Sequence, residues 1–88
     1  MSNLDAQIKT FLGVARLGSF RRAADELCVT QAAVTSRIKG LEEYLGFTVF
    51  HRHRRGAELT EQGERFIEYA RNAIDVIEHG REVARRAD

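Results

Sequence analysis

Proline is absent from the 88 residues, and cysteine occurs once, at Cys28. A single cysteine excludes a disulfide within the chain and fits a reducing cytoplasm, where it reads as a small packed residue in a turn rather than a redox sensor. No uninterrupted apolar run approaches the length of a membrane span, and the N-terminus lacks a basic region followed by an apolar stretch. The expectation is a soluble, cytoplasmic chain. Signals for chemistry are missing as well. Neither Ser19 nor Ser36 sits in a glycine-flanked nucleophile turn, and no glycine-rich loop is present to cradle a phosphate. His51 and His53 share one face of a strand, a spacing metals use, but Cys28 and His79, the next candidate ligands, lie on other elements. No catalytic residue, metal or cofactor is expected.

What remains is 43% apolar and 31% charged residues, the composition of an ordinary folded domain rather than a disordered tail. A chain this short makes one small domain, and small domains bury a low fraction of their surface, so a partner subunit often helps. The formal net charge is only +1, yet its distribution is uneven. Residues 1–60 hold nine Lys or Arg against six Asp or Glu, whereas residues 61–88 hold five against seven. The cations are densest from His51 to Arg55, where a basic block means either a solvated surface or an anionic partner.

Apolar residues at Leu4, Ile8, Phe11, Leu12 and Ala15 recur at helical spacing, and Gly18 supplies a left-handed terminator for a helix ending near Leu17. Ser19 is then a cap for a short second helix with Phe20, Ala23, Ala24 and Leu27 on one face. Only Cys28 and Val29 separate it from Thr30, again a good cap. Two helices joined so tightly must cross steeply, which is the helix-turn-helix arrangement. The third helix ends at Gly46. Beyond it, Phe47 to Arg52 reads as a strand, Arg54 to Gly56 as a turn, and Ala57 to Leu59 as a short return strand, together a wing. Thr60 opens a capping box with Glu61 to Glu64 behind it, followed by one long helix from Glu61 to about Arg85, with no proline to stop it.

The third helix is unusual around its circumference. At about 100° per residue, Val34, Ile38, Leu41 and Leu45 fall in one arc, while Ala32, Ser36 and Lys39 point the opposite way and Gln31 and Thr35 lie on one shoulder. Its leading half is slim and carries short side chains, and Glu42 and Glu43 wait at the far end. A major groove about 12 Å wide admits a helix about 10 to 12 Å across, so small residues let the backbone approach base edges. Gln31 pairs with an adenine edge in such a geometry, Ala32 and Ala33 touch a thymine methyl, and Thr30, Thr35 and Ser36 bond phosphates or bases. The acidic end, repelled by phosphate, stays outside.

The residues Ile8, Phe11, Gly18, Ser19, Phe20, Ala23, Ala24, Leu27, Val29 to Thr35, Ile38, Lys39, Leu41, Glu42, Leu45, Gly46, Phe50, Arg52, Arg55, Gly56, Leu59, Thr60 and Gly63 stand at ungapped intervals. In this pattern residues 4 to about 80 resemble the N-terminal domain of LysR-type transcriptional regulators. The resemblance implies a mostly α winged helix-turn-helix, three helices plus a small β-hairpin, over residues 1–60, and a linker helix that pairs two subunits over 61–88. It implies a recognition helix at 30–46, with Thr30, Gln31, Ala32, Ala33, Thr35 and Ser36 in the major groove, and a wing at 50–57 carrying Arg52 and Arg55. Full-length members of that family add a C-terminal effector-binding domain, so a small-molecule effector is expected only through a domain absent from these residues. The helical pattern runs on to Arg85, Arg86, Ala87 and Asp88 without a capping glycine, as in a DNA-binding fragment.

There are departures from the family pattern. Ala32 stands where proline is usual, and Ser36 where arginine is common, with Arg37 following, which displaces one phosphate or guanine contact by a residue. Arg54 replaces a small wing residue and adds a cation for a minor groove or phosphate. Gly40 in mid-helix costs roughly 1 kcal/mol against alanine and permits close packing.

In the long helix, Phe66, Ala70, Ala73, Ile77, Gly80 and Ala84 alternate steps of four and three, and Ile67 and Ile74 widen the stripe. A stripe of that length needs a cover. Its first two turns are expected to pack on the wing domain and the remainder on a second copy, through Phe66, Ile67, Ala70, Ala73, Ile74 and Ile77. Two readings of the chain follow: a homodimer that binds double-stranded DNA selectively, or an interaction module that dimerises through its last helix and offers a basic wing to an acidic protein.

Overall fold

Four side chains divide the chain into its helices. In the computed structural model, which describes residues 3–86, Asn3 Oδ1 accepts from the Ala6 N–H at 3.1 Å, Ser19 Oγ from Arg22 at 3.1 Å, Thr30 Oγ1 from Ala33 at 3.0 Å and Thr60 Oγ1 from Gly63 at 2.9 Å. Each satisfies an amide that a helix start leaves without a partner. The resulting order is α1 (Leu4–Leu17), α2 (Phe20–Leu27), α3 (Gln31–Leu45), β1 (Phe50–His53), β2 (Gly56–Leu59) and α4 (Glu61–Arg85). The expected helical pattern over Ala87 and Asp88 lies outside the described residues.

Gly18 and Gly46 end α1 and α3 in the left-handed conformation, with φ of 68° and 87°. Cys28 does the same for α2 with φ of 59°, the one non-glycine residue with positive φ among those described, and it is exposed rather than packed as expected. Its conformation is one that only glycine adopts without cost.

Phe11 sits at the centre of the core. Its ring lies 5.4 Å from that of Phe50 and 5.5 Å from that of Phe66, and Phe20 closes on Phe50 at 5.7 Å. One residue of α1 thereby joins the wing and the long helix, while Val14, Val34, Leu41 and Val49 fill the space around it. The arc predicted for α3 is the buried one at Val34, Ile38 and Leu41, with Leu45 partly covered.

The hairpin is shorter at one end than expected. β1 and β2 pair antiparallel in the register Phe50 with Leu59 through His53 with Gly56. Phe47 to Val49 is no strand because its polar backbone groups are engaged elsewhere. The Val49 N–H donates to Glu42 Oε2 at 2.8 Å, the Val49 carbonyl accepts from the Thr60 N–H at 2.9 Å, and the Thr48 carbonyl accepts from the Thr60 hydroxyl at 2.7 Å.

The expected capping box of α4 is incomplete. The residue three beyond the cap is Gly63, which has no carboxylate to reach back to Thr60. A Cβ there would meet the Val49 carbonyl oxygen at 2.4 Å, so packing excludes the glutamate that a full box needs.

The long helix docks further along its length than its first two turns. Phe66, Ile67 and Ile74 pack against the core and Ala70 is buried within it, because the apolar stripe of α1 also needs a cover. Near the end of this contact Lys9 lies 3.3 Å from Asp5 and 3.4 Å from Glu78. The hydrogen bond to Asp5, and then that to Glu78, raise the Lys9 pKa above its ordinary value. None of the described helices is long and apolar enough to cross a membrane.

Candidate nucleic-acid interface

The leading face of α3 is open. Gln31, Ala32, Thr35, Ser36 and Lys39 are exposed, Ala33 is half-buried, and Thr30 is exposed with its oxygen engaged in the cap. The short side chains leave this surface narrow, and it carries no acid until Glu42. Two residues differ from their simple helical placement. Arg37 is half-buried and turns toward α1, where its Nη1 donates to Thr10 Oγ1 at 3.4 Å. Glu42 is not a free anion at the trailing end but the clamp on Val49, which leaves Glu43 exposed there beside Tyr44.

The wing stands beside the start of α2 because two glycines let the backbones meet. The Ala57 N–H donates to the Gly18 carbonyl at 3.0 Å, and a Cβ on Gly56, whose φ is 141°, would fall 2.2 Å from that same oxygen. This contact forms a cleft of about 200 Å³ whose walls include Arg21 of α2, Gln31 of α3, and Arg52, Arg54 and Arg55 of the wing. Arg52 is held in place from below, its guanidinium 4.0 Å above the Phe20 ring, a cation–π contact. Four arginines, one glutamine and His53 therefore line one opening. Arg21 is not among the contact residues expected from the sequence, because the contact between Gly18 and Ala57 that sets α2 beside the wing has no local signal.

No three His, Cys, Asp or Glu side chains are grouped to hold a metal among the described residues, and His51 and His53 stay without a third ligand. His53 engages the hairpin itself. Its Nε2 lies 3.1 Å from Glu58 Oε2, and its Nδ1 accepts from the Arg55 N–H at 3.2 Å.

The residues assigned to pairing divide into two sets. Phe66, Ile67, Ala70 and Ile74 are engaged within the chain, and Ala70 is closed to any partner. Ala73 and Ile77 are exposed. The open stripe runs instead through Tyr69, Ala73, Val76, Gly80 and Val83, again in steps of four and three, with Tyr69 72% exposed and Val76 67% exposed.

Residues 6–64 match the family model of bacterial regulatory helix-turn-helix proteins of the lysR family. The chain belongs to that family. Its relatives include a glycine cleavage system transcriptional activator homolog of Haemophilus influenzae, 54% identical over 60 residues, which are 68% of this chain and 20% of that protein. The HTH-type transcriptional regulator HdfR of Yersinia pestis is 51% identical over 63 residues, 72% of this chain and 22% of HdfR. The chain thus spans about a fifth of the length of the curated relatives it matches. Among solved structures, the complex of CbnR_DBD with DNA superimposes with a TM-score of 0.89 at 34% identity, covering 92% of this chain and 93% of that one. The mostly helical winged helix-turn-helix is therefore that of lysR-family DNA-binding domains, and the relatives are transcriptional regulators rather than enzymes.

Proposed function

We propose that this lysR-family domain binds double-stranded DNA selectively as a homodimer, with α3 in the major groove and the wing at the minor groove or its phosphates. The observation that carries the reading is the narrow, exposed leading face of α3, free of acids and uncharged from Thr30 to Ser36, beside a cleft walled by Arg21, Arg52, Arg54 and Arg55. Gln31, at the boundary between the two, can pair with a base edge while neighbouring guanidiniums hold phosphates. Ala32 and Ala33 present methyl groups, and Thr30, Thr35, Ser36 and Lys39 offer donors to bases or backbone. A contact from Arg37 requires it to leave Thr10.

The pairing seam we favour is Tyr69, Ala73, Val76, Gly80 and Val83. An antiparallel pair centred on Val76 sets Tyr69 opposite Val83 of the second copy and brings Ala73 and Gly80 together, where their small size lets two helices approach closely. A two-fold axis there relates two reading heads to a two-fold related site. In this division residues 1–60 read DNA and 61–88 pair the copies, and any small-molecule effector acts through a domain outside these residues.

The test is duplex binding across a salt series, with random duplexes in competition. Affinity should fall with a log–log slope near −0.9 per neutralised phosphate, and one half-site mismatch should cost about 1 to 3 kcal/mol. Equal retention of all duplexes would leave only backbone attraction. Retention of none at modest salt would reject the reading and point the basic wing toward an acidic protein.

A further inference from the structure

We propose that His53 is the positioning residue of the wing: its imidazole, bare at Nδ1 and protonated at Nε2, ties the Arg54–Arg55 turn to Glu58 and so holds Arg55 in place for a phosphate. The inference rests on the DNA reading above for the role of Arg55, but its structural half stands on the hairpin alone.

The turn needs such a restraint. Only Arg54 and Arg55 separate the paired residues His53 and Gly56. Two-residue hairpin loops ordinarily take positive φ at the loop, because that geometry matches the twist of the strands. Neither arginine does so, and positive φ appears at Gly56, the residue that follows the loop. Two adjacent cations at the tip also repel each other. The two loop arginines thus lack the conformation usual for a two-residue hairpin loop.

The imidazole supplies what is missing. The Arg55 N–H is a donor, so the Nδ1 facing it at 3.2 Å must be the bare nitrogen. A neutral imidazole with bare Nδ1 carries its proton on Nε2, which is the nitrogen 3.1 Å from Glu58 Oε2. The two contacts therefore require the same tautomer, and each supports the other. Protonation of Nδ1 would set two donors against each other and release Arg55, while leaving the Glu58 contact intact. The charged and titratable groups around the ring are Glu58 and His51 on the strands, Arg52, Arg54 and Arg55 along the wing, and Arg21 from α2, with neutral Gln31 beside them.

The test combines nuclear magnetic resonance of the free protein with duplex binding. At pH 8 the imidazole nitrogens should report a bare Nδ1 and a protonated Nε2. The Arg55 amide should be protected from exchange at pH 8, after correction for intrinsic rates. His53→Asn, whose Oδ1 replaces the acceptor, should keep that protection; His53→Ala should lack it. At pH 8, His53→Ala should weaken duplex binding by about 2- to 10-fold, the range of one net hydrogen bond, with the salt slope unchanged, while the asparagine variant stays near wild type. A proton found on Nδ1, an Arg55 amide indifferent to the alanine change, or a reduced salt slope would overturn the proposal, the last by making His53 a phosphate contact. A wild-type chain that retains no duplex while its Arg55 amide behaves as described overturns the DNA reading and leaves the imidazole's hold on the turn standing.

Discussion

Two glycines inside helices have opposite meanings at the residue scale. Gly63 lies where α4 passes the connector, and a side chain there would strike the Val49 carbonyl, a backbone atom with no room to move while it accepts from Thr60. Gly63→Ala should therefore destabilise the domain by about 1 to 3 kcal/mol despite the better helix propensity of alanine, read as a lowered midpoint in urea. Gly40 in α3 faces only the end of the Gln7 side chain, which a Cβ would approach at 2.7 Å. That side chain can swing away, and its Oε1 is buried without a partner, so little is lost when it leaves. Gly40→Ala should raise stability by up to about 1 kcal/mol, and a lowered urea midpoint would contradict this account. The close packing expected at Gly40 from sequence thus amounts to contact with one flexible side chain.

At the scale of elements, the proposed function gives α3 and the wing different tasks, and substitutions should separate them. Gln31→Ala removes the amide proposed to read a base from an exposed helix face, so it should relax preference at a single base position with helical content unchanged. Undiminished discrimination across a panel of single-base variants would remove Gln31 from the reading set. Arg55→Ala removes a cation instead. It should weaken binding to all duplexes alike and reduce the magnitude of the salt slope by about 1. These contrasts follow from where each element puts its charge: the leading half of α3 has none at its tip, and the wing concentrates it.

The molecule as a whole extends 52 Å along its longest axis against 27 and 24 Å across, because α4 outruns the domain that covers its first half. In the proposed pair, a partner's helix covers its apolar side chains beyond Glu78. Replacing Val76 by cysteine tests the seam directly, with the native thiol removed by Cys28→Gly, a change that the left-handed conformation at that residue favours. An antiparallel pair centred on Val76 brings the two Cys side chains face to face within disulfide reach, so oxidation should yield a covalent dimer that still binds duplex. A dimer in sedimentation that never cross-links would move the axis elsewhere along α4, and a monomer at every concentration would remove the seam.

The helices, their caps and the buried arc of α3 were legible in the chain because each depends on neighbours three or four residues away. Ser19, Thr30 and Thr60 cap the amides that their sequence positions predict, and Gly18 and Gly46 stop the helices they follow. The chemistry of the leading face of α3 follows from the same periodicity, since one buried arc leaves the opposite one to solvent. Contacts across the fold decided the rest. Glu42 and Val49, Arg37 and Thr10, Gly18 and Gly56, and the covering of Ala70 by the domain join residues that no local pattern relates. Period and capping specify that α4 has an apolar stripe; only packing against α1 determines which part of it is consumed within the chain and which is left open.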